Sequence, residues 1–226
     1  MGDHHVSTDV PAGLLVDWGG VLTHPFHGNL REWSIAEGLD PDGVVSVVSE
    51  WLNADIAVVS LEQNPLHALE RGETDQAGAE RILAEELNRR GHGLADHAGM
   101  LARLFARGVT FDDTVLDVVR QAHAAGVRTA LLSNSWANEY PIERWTDAFD
   151  ALVISGEVGM RKPEPRIFEH AAALLNLPLT ECVFVDDELV NVLAAQALGM
   201  RAIHCRDTAL VAAELITLFA LDPEQA

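Results

Sequence analysis

Four short polar loci interrupt otherwise apolar or helical stretches. Asp17 follows Leu14-Leu15-Val16, Ser133-Asn134 follows Ala130-Leu131-Leu132, Arg161-Lys162-Pro163 precedes a helical run, and Asp186-Asp187 follows Val183-Phe184-Val185. An acid at the carboxyl end of a buried strand can serve as a nucleophile or a metal ligand, and burying it unpaired is costly enough to argue against a purely structural role. A carboxylate, a small hydroxyl, a lysine and an acid pair belong together when the ligand is anionic and a cation offsets the crowded carboxylates. Mg²⁺ with a phosphate monoester suits that set, because Mg²⁺ takes a few protein oxygens and completes its shell with water and substrate oxygens. Taken singly, Ser133-Asn134 reads as a turn or cap, Lys162 as a solvated lysine, and Asp186-Asp187 as a helix N-cap. Their joint occurrence at strand ends is what favours chemistry.

The elements that must position these loci fall into two textures. From Gly108 onward, strand and helix patterns alternate, the signature of a parallel sheet covered on both faces. Buried-strand runs span 127–132, 151–154, 182–185 and 201–205, and helical spacing spans 112–125, 163–176, 188–198 and 207–220. Between Asp17 and Asp112, the stretches 30–37, 44–52, 66–71, 75–90 and 95–105 all carry helical periodicity, with no convincing strand. The expected fold class is α/β, a doubly wound parallel-sheet core formed by residues 1–24 and 108–226, with an all-helical cap at 25–107. The insertion leaves at Thr23 to Gly28 and returns at Gly108 to Asp112, which sets the cap over the carboxyl edge of the sheet. A cap there excludes water and selects substrate, and Trp33, Trp51, His67 and Arg71 either line the cleft or serve the cap's own packing.

Composition narrows the function classes. With 226 residues and 48% of them hydrophobic, the chain can bury a full core. Its 35 acidic residues against 15 basic ones give a net charge of −20 without a local basic patch, which argues against nucleic acid and anionic membrane surfaces as partners. Apolar stretches are too short or too interrupted for a membrane span or signal peptide, so a cytoplasmic address is expected. Cys182 and Cys205 lie in strand-like runs and read as buried structural thiols, while His4 and His5 lack the further ligands a metal site needs.

The four loci, in this order and on these elements, resemble the haloacid dehalogenase-like superfamily over nearly the whole chain. The stretch Gly156-Glu157-Val158-Gly159-Met160-Arg161-Lys162-Pro163-Glu164-Pro165, followed by Val185-Asp186-Asp187-Glu188-Leu189-Val190-Asn191, is similar to the subgroup with a helical cap, which includes bacterial sugar-phosphate phosphatases and the phosphatase domain of soluble epoxide hydrolase. The resemblance implies a phosphatase acting on a small phosphorylated metabolite, with sugar phosphates the favoured class. It implies that Asp17 is the nucleophile forming an aspartyl phosphate and that Mg²⁺ is held by Asp17, the Gly19 carbonyl and Asp187. Asp186 and Asn191 would then orient the waters of the metal. Ser133, Asn134 and the Trp18 amide would hold phosphoryl oxygens, and Lys162 would neutralise the nucleophile and the transferring group.

One position departs from the family pattern. Two residues after Asp17, where the family commonly carries an acid that protonates the leaving oxygen and activates water, this chain has Gly19. Such assistance is typically worth about 10²–10⁴-fold. His24 is the candidate substitute, since imidazole titrates near neutrality. The gap keeps two alternatives open. One is a 2-haloacid dehalogenase, which needs no leaving-group protonation; the other is a phosphate-binding regulatory protein of low turnover.

Overall fold

The computed structural model describes residues 10–24, 26–52, 64–92, 98–108, 110–136 and 140–223, and the side chains of 26–29 and 105–108 are not described. His4, His5 and the first residues of the helix expected at 95–105 lie outside this set.

Five parallel strands form one sheet: β1 (Gly13–Val16), β2 (Arg128–Ser133), β3 (Ala151–Ile154), β4 (Cys182–Asp186) and β5 (Arg201–His204), in the order β3-β2-β1-β4-β5. Every strand therefore ends on the same edge. The order reverses between β1 and β4, which makes the crevice at their carboxyl ends the place where open α/β sheets bind ligands. Val16 pairs with Val185 and the Asp17 amide donates to the Val185 carbonyl at 2.9 Å, so Asp17 and Asp186 stand side by side one step beyond.

Ten helices are described: α1 (Phe26–Ala36), α2 (Pro41–Leu52), α3 (Pro65–Glu70), α4 (Gln76–Arg89), α5 (Met100–Gly108), α6 (Asp113–Ala124), α7 (Ser155–Val158), α8 (Pro165–Leu174), α9 (Leu189–Ala197) and α10 (Thr208–Leu218). Strand alternation divides the core into two layers. Leu14 and Val16 of β1 pack with Val115, Val118 and Val119 of α6 and Leu215 of α10. Leu15 points the other way, into a layer with Ile167 and Phe168 of α8 and Ala195 of α9. Helices on both faces of a parallel sheet give the doubly wound α/β class expected from the sequence.

Helices α1 to α5 surround a separate apolar cluster that includes Trp33, Val47, Trp51, Leu83, Leu87 and Leu104, which Trp136, on the segment after β2, also joins. Capping fixes where several helices begin. Asn64 accepts from the His67 amide at 3.0 Å, Asp75 from Gly78 at 2.8 Å, and Asp112 from Thr114 at 3.0 Å. The chain leaves the sheet and returns to it through one tied point. Thr23 and Phe111 form an antiparallel bridge, flanked by His24 N–H to the Thr110 carbonyl at 2.9 Å and Asp112 N–H to the Leu22 carbonyl at 3.0 Å. The four-residue helix α7, on the stretch just after β3, is too short to leave a periodic signal and was not expected.

Candidate functional site

Asp17 emerges from the end of β1, 8% exposed, with its carboxylate already engaged. Its Oδ1 accepts from the Trp18 amide at 2.7 Å and lies 2.7 Å from Lys162 Nζ. Lys162 also donates to Asp186 Oδ2 at 2.7 Å, so one buried ammonium bridges two strand-end carboxylates. Burial works against that charge, but Asp17 and Asp186 outweigh it and hold the lysine above its ordinary value.

The two acids after β4 differ sharply in their surroundings. Asp186 is fully buried and committed, accepting from Lys162, from the Glu188 amide at 2.8 Å and from Asn191 Nδ2 at 3.0 Å and 3.2 Å. Asp187 is not so held. Burial pushes its carboxyl up to about 8, with Asp17 and Asp186 adding to the effect, and burial likewise pushes Asp17 up to about 7 although Lys162 pulls it down. One oxygen from each of Asp17, Asp186 and Asp187 can be chosen so that all lie within 4.8 Å of one another. Three carboxylates share a single lysine, and the excess negative charge is what a bound divalent cation would offset. The donor set is all oxygen, as Mg²⁺ prefers, so the residues fit that ion.

Gly19 and Gly20 shape the loop beneath these carboxylates in different ways. Gly20 has φ of +65°, and a Cβ there would collide with the Asp187 carboxylate, so only glycine fits. Gly19 has no such constraint, and a Cβ added to it would meet nothing within 4 Å.

A cavity of about 160 Å³ opens beside Asp17. Its sheet side is formed by Asn134, Arg161, Lys162, Glu188, Val190 and Asn191, and its opposite wall by Ser49 and Leu52 of α2 and Glu70 of α3. Asn134, expected among the phosphoryl contacts, spends both ends of its amide on Lys162: its Oδ1 accepts from the Lys162 amide at 2.8 Å and its Nδ2 donates to the Lys162 carbonyl at 3.0 Å. Ser133 shares a 3.0 Å hydrogen bond with the Tyr140 hydroxyl, and Tyr140 packs on the Trp18 ring with centroids 4.9 Å apart. Tyr140 was not singled out in the sequence because it sits in no motif.

Other expected residues lie elsewhere. His24 is exposed on the connection leaving β1 and interacts electrostatically with Asp112; it is not among the residues that form the cavity. The acid–base part given to it from the sequence therefore has no geometric support. Trp33 and Trp51 belong to the apolar cluster of α1 to α5, and Arg71 pairs with Glu164. His67 is 1% exposed, and burial, reinforced by Arg161 and Arg71, lowers its pKa to about 4, so its ring is neutral at physiological pH. Cys182 and Cys205 are free and buried, and burial pushes both thiols up to about 11, which leaves them inert. Among the described residues, no helix is long and apolar enough to cross a membrane.

Comparison with known proteins identifies the family. A sesquiterpene phosphatase of Aspergillus oryzae is 34% identical over 109 residues, which cover 46% of this chain and 55% of that protein. Two curated relatives of this chain are spanned over only 30% and 55% of their own lengths. In structure, the chain is similar to a dehalogenase solved with an intermediate complex, at a TM-score of 0.66 and 17% identity, covering 95% of this chain and 99% of that one. It is also similar to an HAD family enzyme of Bacteroides thetaiotaomicron solved with magnesium and inorganic phosphate, at a TM-score of 0.58 and 22% identity, covering 86% of this chain and 93% of that one. At such identities these structures establish the fold alone. Residues 12–199 match the family model described as haloacid dehalogenase-like hydrolase, and with more than half of its length so matched, the chain belongs to the haloacid dehalogenase-like hydrolases.

Proposed function

We propose that the chain is a Mg²⁺-dependent phosphatase of a small phosphorylated metabolite, working through an aspartyl phosphate on Asp17. The observation that carries this reading is the buried Asp17 carboxylate, held by Lys162 beside an acid pair whose charge the protein leaves in excess. Asp17 attacks phosphorus, the bond from phosphorus to the ester oxygen breaks, and water later cleaves the aspartyl phosphate. Lys162 neutralises Asp17 and the transferring group, so approach of an anionic phosphoryl to a carboxylate becomes feasible. Ser133 and the amides following Asp17 are the proposed phosphoryl contacts, and Asn134 acts by holding the Lys162 main chain. Mg²⁺, when bound by Asp17, the Gly19 carbonyl and Asp187, would supply the positive charge that offsets these acids and the phosphoryl oxygens. Asp186, with its oxygens committed to Lys162, Glu188 and Asn191, is suited to orienting from behind rather than to direct ligation, and Asn191 supports it. Residues 25–107 are the proposed cap.

Sugar phosphates are the first group to screen, and Leu52 and Val190 at the cavity, together with the sesquiterpene phosphatase relative, add apolar phosphate esters to the panel. Purified protein assayed with such a panel is expected to release phosphate with Mg²⁺ and to stop with EDTA. Halide release from 2-haloacids without metal would replace this reading with a dehalogenase. Phosphate binding without turnover would replace it with the regulatory alternative.

The acid pair also links metal binding to stability. Folded protein keeps protons on Asp17 and Asp187 up to about pH 7 and 8, whereas the unfolded chain releases them near 3.8, so their contribution falls as pH rises through that window. His67 acts oppositely, adding stability as pH rises from about 4 to 6.5 and nothing more above that. Above pH 6.5 the carboxyl effect stands alone. Melting temperature without divalent cation is therefore expected to fall from pH 6.5 to 8, and Mg²⁺ to raise it more at pH 8. Equal Mg²⁺ effects at both pH values would count against a metal held by these carboxylates.

A further inference from the structure

Lys162 reaches Asp17 from a segment anchored at both ends to a helix far away in sequence. Arg161 Nε pairs with Glu70 Oε2, and the other oxygen of Glu70 accepts from Trp136 Nε1 at 2.9 Å. Arg71 Nε donates to Glu164 Oε1 at 2.6 Å. Adjacent residues of opposite charge at the end of α3 thus meet residues of complementary charge on either side of Lys162-Pro163. All four are buried, with exposures of 3% for Glu70, 8% for Arg71, 5% for Arg161 and 8% for Glu164. Exposed ion pairs contribute little, but buried pairs are geometrically exacting, because breaking one strands an uncompensated charge away from water.

Backbone contact reinforces the junction. Gly72, directly after this pair, has φ of +69°, and a Cβ there would collide with the Gly156 carbonyl of α7, so the two main chains meet without side chains between them. On its other flank, the Lys162 main chain is gripped by the Asn134 amide. The segment 161–164 is therefore fixed between the end of β2 and the end of α3. Glu70 at the same time forms part of the cavity wall opposite the sheet.

We infer that Glu70 and Arg71 are positioning residues, which set the Lys162 ammonium between Asp17 and Asp186 by locking Arg161 and Glu164. Through this one junction, the helical wall of the cavity and the lysine that neutralises the nucleophile come into place together. With α3 displaced, Arg161 and Glu164 lose their buried partners and the Lys162 segment loses one of its two supports. The inference rests on the phosphatase reading for its consequence in catalysis, but not for its geometry.

Glu70→Gln keeps the size of the side chain and an acceptor for Trp136 while removing the charge that faces Arg161. Arg71→Met keeps the stem and removes the pair with Glu164, and Arg71→Lys restores a cation there. With p-nitrophenyl phosphate and Mg²⁺, Glu70→Gln and Arg71→Met are expected to lower kcat by about 10- to 100-fold while KM changes less than about threefold, because the lysine acts on the transferring group rather than on initial binding. Arg71→Lys is expected to recover most of the loss. A rise in KM with kcat unchanged, or Arg71→Lys as impaired as Arg71→Met, would overturn the inference. A second measurement does not depend on activity: acylation of the Lys162 amine, followed by peptide mass mapping, is expected to be slow in the wild type, where Lys162 is 1% exposed, and at least about tenfold faster in Glu70→Gln. Unchanged labelling in a folded variant overturns the junction. Absence of phosphatase activity in the wild type, with labelling as expected, would instead overturn the functional reading and leave the junction standing.

Discussion

If Asp17 is the nucleophile as proposed, Asp17→Asn is expected to lower Mg²⁺-dependent phosphate release by about 10³-fold or more while leaving the fold intact, since removal of a covalent nucleophile leaves only the binding part of the rate enhancement. The carboxamide matches the carboxylate in size and keeps an oxygen for the Trp18 amide, which now donates to Asp17 at 2.7 Å. Lys162 is not stranded, because Asp186 remains 2.7 Å from its Nζ. Without metal, the variant is expected to melt at or slightly above the wild-type temperature near pH 8, since it removes one of the carboxylates that burial and mutual repulsion destabilise. Activity and melting should thus move in opposite directions, a pattern that general damage to the fold cannot produce. Activity within tenfold of the wild type would show that another group attacks phosphorus.

Gly19→Asp is expected to raise turnover, by about 10²-fold for substrates with a poor leaving group, the lower end of what general acid–base assistance supplies. The substitution is unusually well posed. Gly19 has an ordinary backbone conformation with open space where a side chain would begin, whereas the neighbouring Gly20 can accept no side chain at all. A Cβ two residues after the proposed nucleophile meets nothing within 4 Å, so a carboxyl-bearing side chain can begin there. The gain should be large for alkyl phosphates and small for p-nitrophenyl phosphate, whose leaving group departs without a proton. The Gly19→Asn variant, equal in size but unable to transfer a proton, should show no gain. If Gly19→Asp left the alkyl phosphates unimproved, the missing acid would not be what limits the wild-type rate.

Legibility in the sequence followed the range of the forces involved. The strands that carry Asp17, Ser133 and Asp186 were readable because a buried parallel strand is a continuous apolar run that must stop where a polar group is needed. The expected strand at 151–154 coincides with β3, and apart from the short α7 the helices around the sheet differ from expectation only at their ends, where caps and fraying blur any pattern. The junction at α3 was invisible for the opposite reason. Arg71 and Glu164 are 93 residues apart, and Glu70 and Arg161 are 91, so no periodicity connects them and nothing in the sequence pairs one with the other. Tyr140 and Asn134 show the same limit: their partners are set by how the strand ends meet, not by local spacing. His24 was chosen for its chemistry, and the sequence gives no signal for where the connection after β1 sets its ring; it is exposed and outside the residues that line the cavity.

The placement of β1 has a consequence for how this protein is made. β1 is the central strand of the sheet, yet Leu14 pairs with Thr129 on one side and Val183 on the other. A chain emerging from the ribosome therefore carries this apolar strand with both edges unpaired until the segment near residue 129 has been synthesised, and with one edge still unpaired until the segment near residue 183 follows. The helices α1 to α5 have a cluster of their own and can gather during that interval. Truncations ending before β4 should accordingly aggregate or recruit chaperones through the Leu14-Leu15-Val16 edge, and a nascent chain holds no assembled site until Asp186 arrives to share Lys162 with Asp17.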